Sequence, residues 1–275
     1  MPLKKKKKRI SGTREWAAST CNCVTGCQHD CKYCYARYDM VDRYHRMTAE
    51  RWKEERVREK DVNKKRGRMD GVVMFPTTHD ITPNILQPCL KVLRNLVNAG
   101  NAVLVVSKPH LECIREIIRV DKEGDGIAKG SFRDHVMFRF TIGARSDKIL
   151  KHWEPGAPSF AERLACLSSA HIAGFRTSVS CEPLLEADAI DRMVKMFEPY
   201  VSDSIWIGKL NHIDRRVRLE TEIDFVMARK VKEGQTDEVI KAIYERFKKH
   251  KLIRWKESYK DVLGLDLAEE AGLDV

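Results

Sequence analysis

Short apolar runs along the chain alternate with longer stretches in which apolar residues recur every three or four positions. The runs lie at 72–75 (Val-Val-Met-Phe, stopped by Pro76), 102–106, 136–142, 175–179 and 204–207, and a further strand is expected near 17–23. Runs this short, bounded by turn residues, suit strands buried on both faces better than helices. Between them, Leu86, Cys89, Leu90, Leu93, Leu96 and Val97 fall on one helical face that Gly100 ends. Phe160, Leu164 and Leu167 repeat the spacing before Gly174, as do Ile190, Met193, Val194 and Phe197, and then Val239, Ile240, Ile243, Tyr244 and Phe247. Strands alternating with helices build βαβ units and a parallel sheet. Six units are too few for a closed eight-stranded barrel. The expected fold class is therefore α/β, a partial (open) six-stranded parallel β/α barrel over residues 14–250, with its chemistry at the carboxyl ends of the strands. Residues 1–13 read as a basic arm and 251–275 as a short acidic tail packing across the barrel opening. There is no internal repeat and no linker rich in Gly, Pro and Ser, so one domain is expected.

Composition narrows the class. Of the 275 residues 43% are hydrophobic and 33% charged, which is ordinary for a globular protein. No apolar run approaches the roughly 18 residues of a membrane span. The lysine-rich N-terminus lacks the apolar core of a signal peptide. A cytoplasmic protein without a membrane partner is the expectation. The net charge of +11 is uneven: six cations crowd residues 4–9, and residues 37–70 hold twelve Lys/Arg against eight Asp/Glu. A clustered basic surface releases counterions when it binds nucleic acid, while a solvated arm and a charged helix that aid solubility explain the same counts. The interleaved acids of residues 54–60 weaken the first explanation for the helix more than for the arm.

Nine cysteines, an odd number with five between Cys21 and Cys34, do not fit a secreted disulfide scaffold and suggest metal ligands. Cys27, Cys31 and Cys34 are spaced C-x3-C-x2-C. Three thiolates on one loop can hold three irons of a [4Fe-4S] cluster and leave the fourth iron open to a small molecule. A zinc knuckle completed by Cys23 or His29 is the competing arrangement. His29 otherwise reads as an exposed loop residue. Cys21, Cys23, Cys89, Cys113 and Cys166 are too scattered to build a second cluster.

The run Gly26-Cys27-Gln28-His29-Asp30-Cys31-Lys32-Tyr33-Cys34-Tyr35-Ala36, with Tyr33 before the last cysteine, resembles the signature of the radical S-adenosylmethionine superfamily. Further blocks, in order, are similar to its spore photoproduct lyase and DNA repair photolyase-like branch: residues 75–83, Val106-Ser107-Lys108, residues 153–158 with Glu162-Arg163-Leu164, and residues 173–183. Uncharacterised phage-type proteins share the cysteine run. The resemblance implies a [4Fe-4S] cluster on Cys27, Cys31 and Cys34 whose open iron chelates S-adenosylmethionine. It also implies reductive cleavage of that cofactor to a 5′-deoxyadenosyl radical that abstracts hydrogen from substrate, with electrons from a donor such as flavodoxin or ferredoxin. The protein's own task is then orientation and exclusion of water.

The same resemblance suggests cofactor contacts from Tyr33, Tyr35, Thr77, Thr78, Asp80, Ser107, Lys108, Thr141, Glu182 and Asn211. It suggests an ion pair of Glu154 with Arg163 bracing the site. Each has a plainer reading: an ST-turn for Thr77 and Thr78, a surface lysine for Lys108, a core tyrosine for Tyr35, a structural salt bridge for Arg163. The branch's hydrogen-donating cysteine is missing, since Phe75 and Pro76 stand there. Cys181, ending the fifth strand, is the candidate catalytic substitute, and packing is its plainer role. The leading expectation is a radical enzyme acting on a nucleic-acid base or modified pyrimidine nucleotide. The alternatives are the same chemistry on a small metabolite or peptide, and a zinc-stabilised nucleic-acid-binding module without catalysis.

Overall fold

The computed structural model describes residues 9–273; most of the basic arm, Lys4 to Lys8, lies outside them. The core is an open sheet of seven parallel strands in sequential order: β1 (Ser19–Thr20), β2 (Val73–Met74), β3 (Val103–Ser107), β4 (Val136–Thr141), β5 (Arg176–Cys181), β6 (Ile205–Ile207) and β7 (Ile253–Trp255). Every pairing is parallel. Parallel neighbours need crossovers, and the amphipathic stretches supply them. Leu86–Asn98 joins β2 to β3, Leu111–Glu123 leads toward β4, Phe160–Ile172 precedes β5, and Ile190–Phe197 joins β5 to β6. Before β7 come Glu222–Glu233 and Asp237–Phe247. No helix among the described residues is long and apolar enough to cross a membrane.

The seventh strand corrects the expected six. Residues 251–275 are not simply a tail: Ile253–Trp255 pairs with β6 from Ile205↔Ile253 to Ile207↔Trp255, and the helix Glu257–Leu263 follows.

Alternation along the strands sorts the sheet into two faces. Val103, Val105, Phe138, Phe140, Val179, Cys181, Ile205 and Ile207 belong to the large core with Leu93, Ile117, Leu167 and Val194 of the crossover helices. The other face carries Met74, Leu104 and Trp206 and is covered by Trp16 and Ala17 of the N-terminal segment. There the Arg139 guanidinium lies 4.5 Å from the Trp16 ring centre and 5.2 Å from that of Trp206.

Between β1 and β2 the chain makes a long insertion, and the expected charged helix is broken there. Arg56–Val57 pairs antiparallel with Val24–Thr25, flanked by the short helices Ala49–Trp52 and Glu59–Val62. The insertion's purpose is visible in Trp52, 1% exposed, which packs with Cys27 and Ala36 and with Met40, Val41 and Met47. It closes one side of the cysteine loop.

Candidate active site at the carboxyl edge of the sheet

The loop leaving β1 is held at almost every turn by backbone hydrogen bonds. Cys27 N donates to the Trp52 carbonyl (2.8 Å), Lys32 N to that of Trp153 (2.9 Å) and Cys34 N to that of Cys31 (3.1 Å). Two glycines allow neighbouring backbone to approach. Gly26 has φ 92°, and a Cβ there would sit 2.3 Å from the Glu54 carbonyl oxygen. At Gly156, whose N–H donates to the His29 carbonyl (3.1 Å), a Cβ would sit 2.1 Å from the Gln28 oxygen. Arg218 adds a clamp from beyond β6, donating to the Asp30 carbonyl (2.6 Å) and carboxylate (3.0 Å). Lys32 Nζ lies 2.7 Å from Asp224 Oδ1.

Cys27 and Cys31 are buried and Cys34 half-buried, all as free thiols. Burial pushes each thiol up, Asp80 adds to the shift in all three, and neighbouring cysteines add to it for Cys27 and Cys31. Three thiols that resist ionisation in isolation, crowded on one loop, form a donor set that a metal centre would relieve by supplying positive charge.

Asp80, after β2, faces this loop. Its Oδ2 lies 3.0 Å from His29 Nδ1, while Oδ1 accepts the Ser107 hydroxyl and the Lys108 N–H (2.9 Å) from the end of β3. Burial works against its charge, but His29, Lys108 and Ser107 outweigh burial and hold the carboxyl below its usual range. Lys108 Nζ sits 5.7 Å from the Tyr33 ring centre. Burial opposes its ammonium too, and the charges of Cys31, Glu154 and Asp80 more than restore it. The half-buried Thr77 and Thr78 are fixed by Asn22, whose Oδ1 accepts both of their N–H groups (2.8 and 2.9 Å) and whose Nδ2 donates to Thr77 Oγ1 (2.7 Å). Tyr35 is 39% exposed and donates its hydroxyl to the Thr77 carbonyl (2.6 Å), so it is not a core residue.

The Glu154–Arg163 ion pair is present at 2.5 Å with both side chains 0% exposed. Arg163 also donates to the carbonyls of Pro158 (2.9 Å) and Thr141 (3.1 Å), and Tyr33 donates its hydroxyl to Glu154. The structure thus gathers Tyr33, Tyr35, Thr77, Thr78, Asp80, Ser107, Lys108 and Arg163 around the cysteine loop through the contacts above, with Thr141 contributing its backbone carbonyl to Arg163.

Three further expected residues make contacts of their own. Glu182, after β5, lies 3.3 Å from Lys256 Nζ, which is fully buried, 2.7 Å from Glu15 and 3.8 Å from the Trp16 ring centre. Burial raises the Glu182 carboxyl despite that lysine. Asn211 lines a cavity of about 380 Å³ with Lys209, His212, Glu257 and Ser258. Cys181 shares its face with Val179 and pairs in register with Ile207, on the helix-covered side. Burial pushes its thiol up to about 12. This is a packing environment. A second cavity, about 540 Å³, is lined by Ala187, Asp188, Gly234, Val239, Ala242 and Arg246 and holds none of these groups.

Sequence reasoning missed the burial of His29 and the roles of Asn22 and His110. His29 is 0% exposed rather than solvent-facing. Asn22 and His110 carried no local signal at all. Among the remaining cysteines, Cys23 and Cys89 bring their sulfurs to 4.0 Å.

No protein-family model and no curated protein matches the chain. Solved structures of SuiB from Streptococcus suis show a distant likeness. Bound to S-adenosylmethionine, SuiB aligns at 7% identity and TM-score 0.44, over 72% of this chain and 42% of SuiB. Bound to its precursor peptide SuiA it gives 6% and 0.45 over 72% and 42%, and alone 8% and 0.45 over 91% and 52%. The chain spans about half the length of SuiB or less. Identities and scores this low assign neither activity nor substrate, and they give no support to the spore photoproduct lyase branch in particular.

Proposed function

We propose that the chain is a radical S-adenosylmethionine enzyme acting on a small metabolite or peptide. The observation that carries the enzyme reading is the meeting of Cys27, Cys31 and Cys34 with Asp80, Lys108 and the Glu154–Arg163 pair at the carboxyl edge of a parallel sheet. When bound there, a four-iron cluster would supply one electron for cleavage of the cofactor's sulfonium. Cys27, Cys31 and Cys34 would hold it. Lys108 would present a fixed ammonium, and Thr77, Thr78 and Asp80 would present hydroxyl and carboxylate groups, to the polar end of S-adenosylmethionine. Trp52 keeps water from one side of the loop. Reduction requires an external donor of the flavodoxin or ferredoxin kind.

The substrate preference rests on charge. Five of the twelve cations in residues 37–70 are tied up: Arg37 with Asp42, Arg43 with Asp39, Lys53 with Asp30, Arg56 with Glu54 and Arg58 with Asp61. That pairing weakens the basic surface of residues 37–70, one of the grounds for a nucleic-acid substrate beside the arm and the branch resemblance. Anaerobic incubation of the reduced protein with S-adenosylmethionine should yield methionine and 5′-deoxyadenosine by mass spectrometry. Deuterium should pass into 5′-deoxyadenosine from labelled peptide or metabolite mixtures and not from oligonucleotides. Transfer from oligonucleotides alone would reverse the substrate reading, and the absence of both products in every mixture would end the enzyme reading.

A further inference from the structure

His29 lies between two cysteines proposed as ligands and is fully buried with both ring nitrogens engaged. We infer that His29, backed by His110, is a positioning residue: it fixes the Asp80 carboxylate, and through it the ends of β2 and β3, against the cysteine loop.

The two imidazoles meet Nε2 to Nε2 at 2.8 Å, so one proton lies between them. With His29 donating its Nδ1–H to Asp80 Oδ2, its Nε2 is an acceptor and His110 donates. His110 is held in turn at the start of helix Leu111–Glu123. There the Leu111 N–H donates to Glu162 Oε1 at 3.0 Å, while His110 Nδ1 lies 3.9 Å from the same oxygen, beyond hydrogen-bond reach. The chain therefore runs from a buried carboxylate through His29 to His110, whose backbone is placed by the neighbouring Leu111–Glu162 bond.

At its inner end the consequence falls on Asp80. With Oδ2 satisfied by His29, Oδ1 is free to take the Ser107 hydroxyl and the Lys108 N–H, which sets where Lys108 leaves the strand. Without His29 a buried carboxylate oxygen loses its donor, a costly state that the group escapes by turning. Cys27 Sγ, a His29 nitrogen and an Asp80 oxygen lie within 4.8 Å of one another, so such a turn also changes the charge beside a cysteine.

Side-chain geometry supplies the test. Asparagine places its amide N–H near where His Nδ1 lies, and glutamine reaches toward Nε2. His29→Asn should thus keep the link to Asp80, whereas His29→Gln and His29→Ala should break it. At His110 the order reverses: His110→Gln keeps a donor for His29 Nε2 and is retained, whereas His110→Ala leaves that buried nitrogen unpaired and is broken; His29→Asn has no such nitrogen to strand. The first readout needs no cofactor: exchange of the Lys108 amide in the unloaded protein should accelerate about tenfold or more in the broken variants and stay near the parent rate in the retained ones. The second, resting on the proposed function, is the affinity of the cluster-loaded variants for S-adenosylmethionine, expected to fall about tenfold in His29→Ala with iron and sulfide unchanged. Equal Lys108 exchange in parent, retained and broken variants would overturn the inference, and the His110 pair decides it alone if His29→Ala does not fold. A parent that takes up no cluster would overturn the function and leave the exchange pattern to decide the positioning role.

Discussion

Replacing Arg163 by methionine keeps most of the side chain's volume and strands the Glu154 carboxylate in the interior. Both partners are 0% exposed and 2.5 Å apart, so solvent cannot compensate. Breaking a buried pair of this kind from one side costs about 3–5 kcal/mol. The carbonyls of Pro158 and Thr141 lose their donor as well. At about 2–4 °C per kcal/mol for a domain near this size, the melting temperature should fall by on the order of 10 °C. Glu154→Leu should cost a similar amount, and the double variant Glu154→Leu/Arg163→Met should recover most of it, since no unpaired charge remains. The pair also sets an acid limit. Burial raises the Glu154 carboxyl, but Arg163 and Lys108 outweigh burial and hold it below its ordinary 4.5. A depressed carboxylate contributes stability that is full above the unfolded value and lost as pH falls toward the folded one. The gap between parent and the double variant should therefore narrow below about pH 4.5. Urea melts of the four proteins at neutral and acid pH measure all of this. Single variants within about 1 kcal/mol of the parent, the range of an exposed pair, would refute the reasoning.

Gly156→Ala should cost about 1–3 kcal/mol and lower iron uptake, because the new methyl group meets the Gln28 backbone at 2.1 Å; normal loading and stability would show that the loop yields. Lys108→Met should leave iron and sulfide intact while weakening S-adenosylmethionine binding about tenfold, read by calorimetry on the loaded protein. Phe138→Ala should cost about 3–5 kcal/mol in urea melts, since the ring is 0% exposed and packs against Phe140 and Phe175 with centres 5.3 and 5.1 Å away.

The strands from β2 to β6 were legible because a strand buried on both faces leaves a nearly continuous apolar run. The last strand was not. Leu252-Ile253-Arg254-Trp255 is short and flanked by Lys251 and Lys256, and only the structure shows that Lys256 is neutralised inside by Glu15 and Glu182. The cysteine loop was legible from its spacing, and the Glu154–Arg163 pair from the resemblance of its blocks. His29 reads as exposed because its neighbours Gln28 and Asp30 are polar. Its burial is set by Asp80 and His110, which are 51 and 81 positions away in the chain. Cys181 is a different case: the end of a strand was readable, but its facing follows from registration with Ile207.

The central claim is that Cys27, Cys31 and Cys34 carry a cluster able to bind S-adenosylmethionine. Anaerobic reconstitution followed by iron and labile-sulfide analysis, with electron paramagnetic resonance of the reduced protein before and after adding S-adenosylmethionine, tests it most directly. The account predicts about four irons and four sulfides per chain and a signal that shifts on adding the cofactor, both lost in Cys31→Ala and kept in Cys21→Ala and Cys113→Ala. A single colourless zinc without sulfide, or full iron and sulfide in Cys31→Ala, would contradict it.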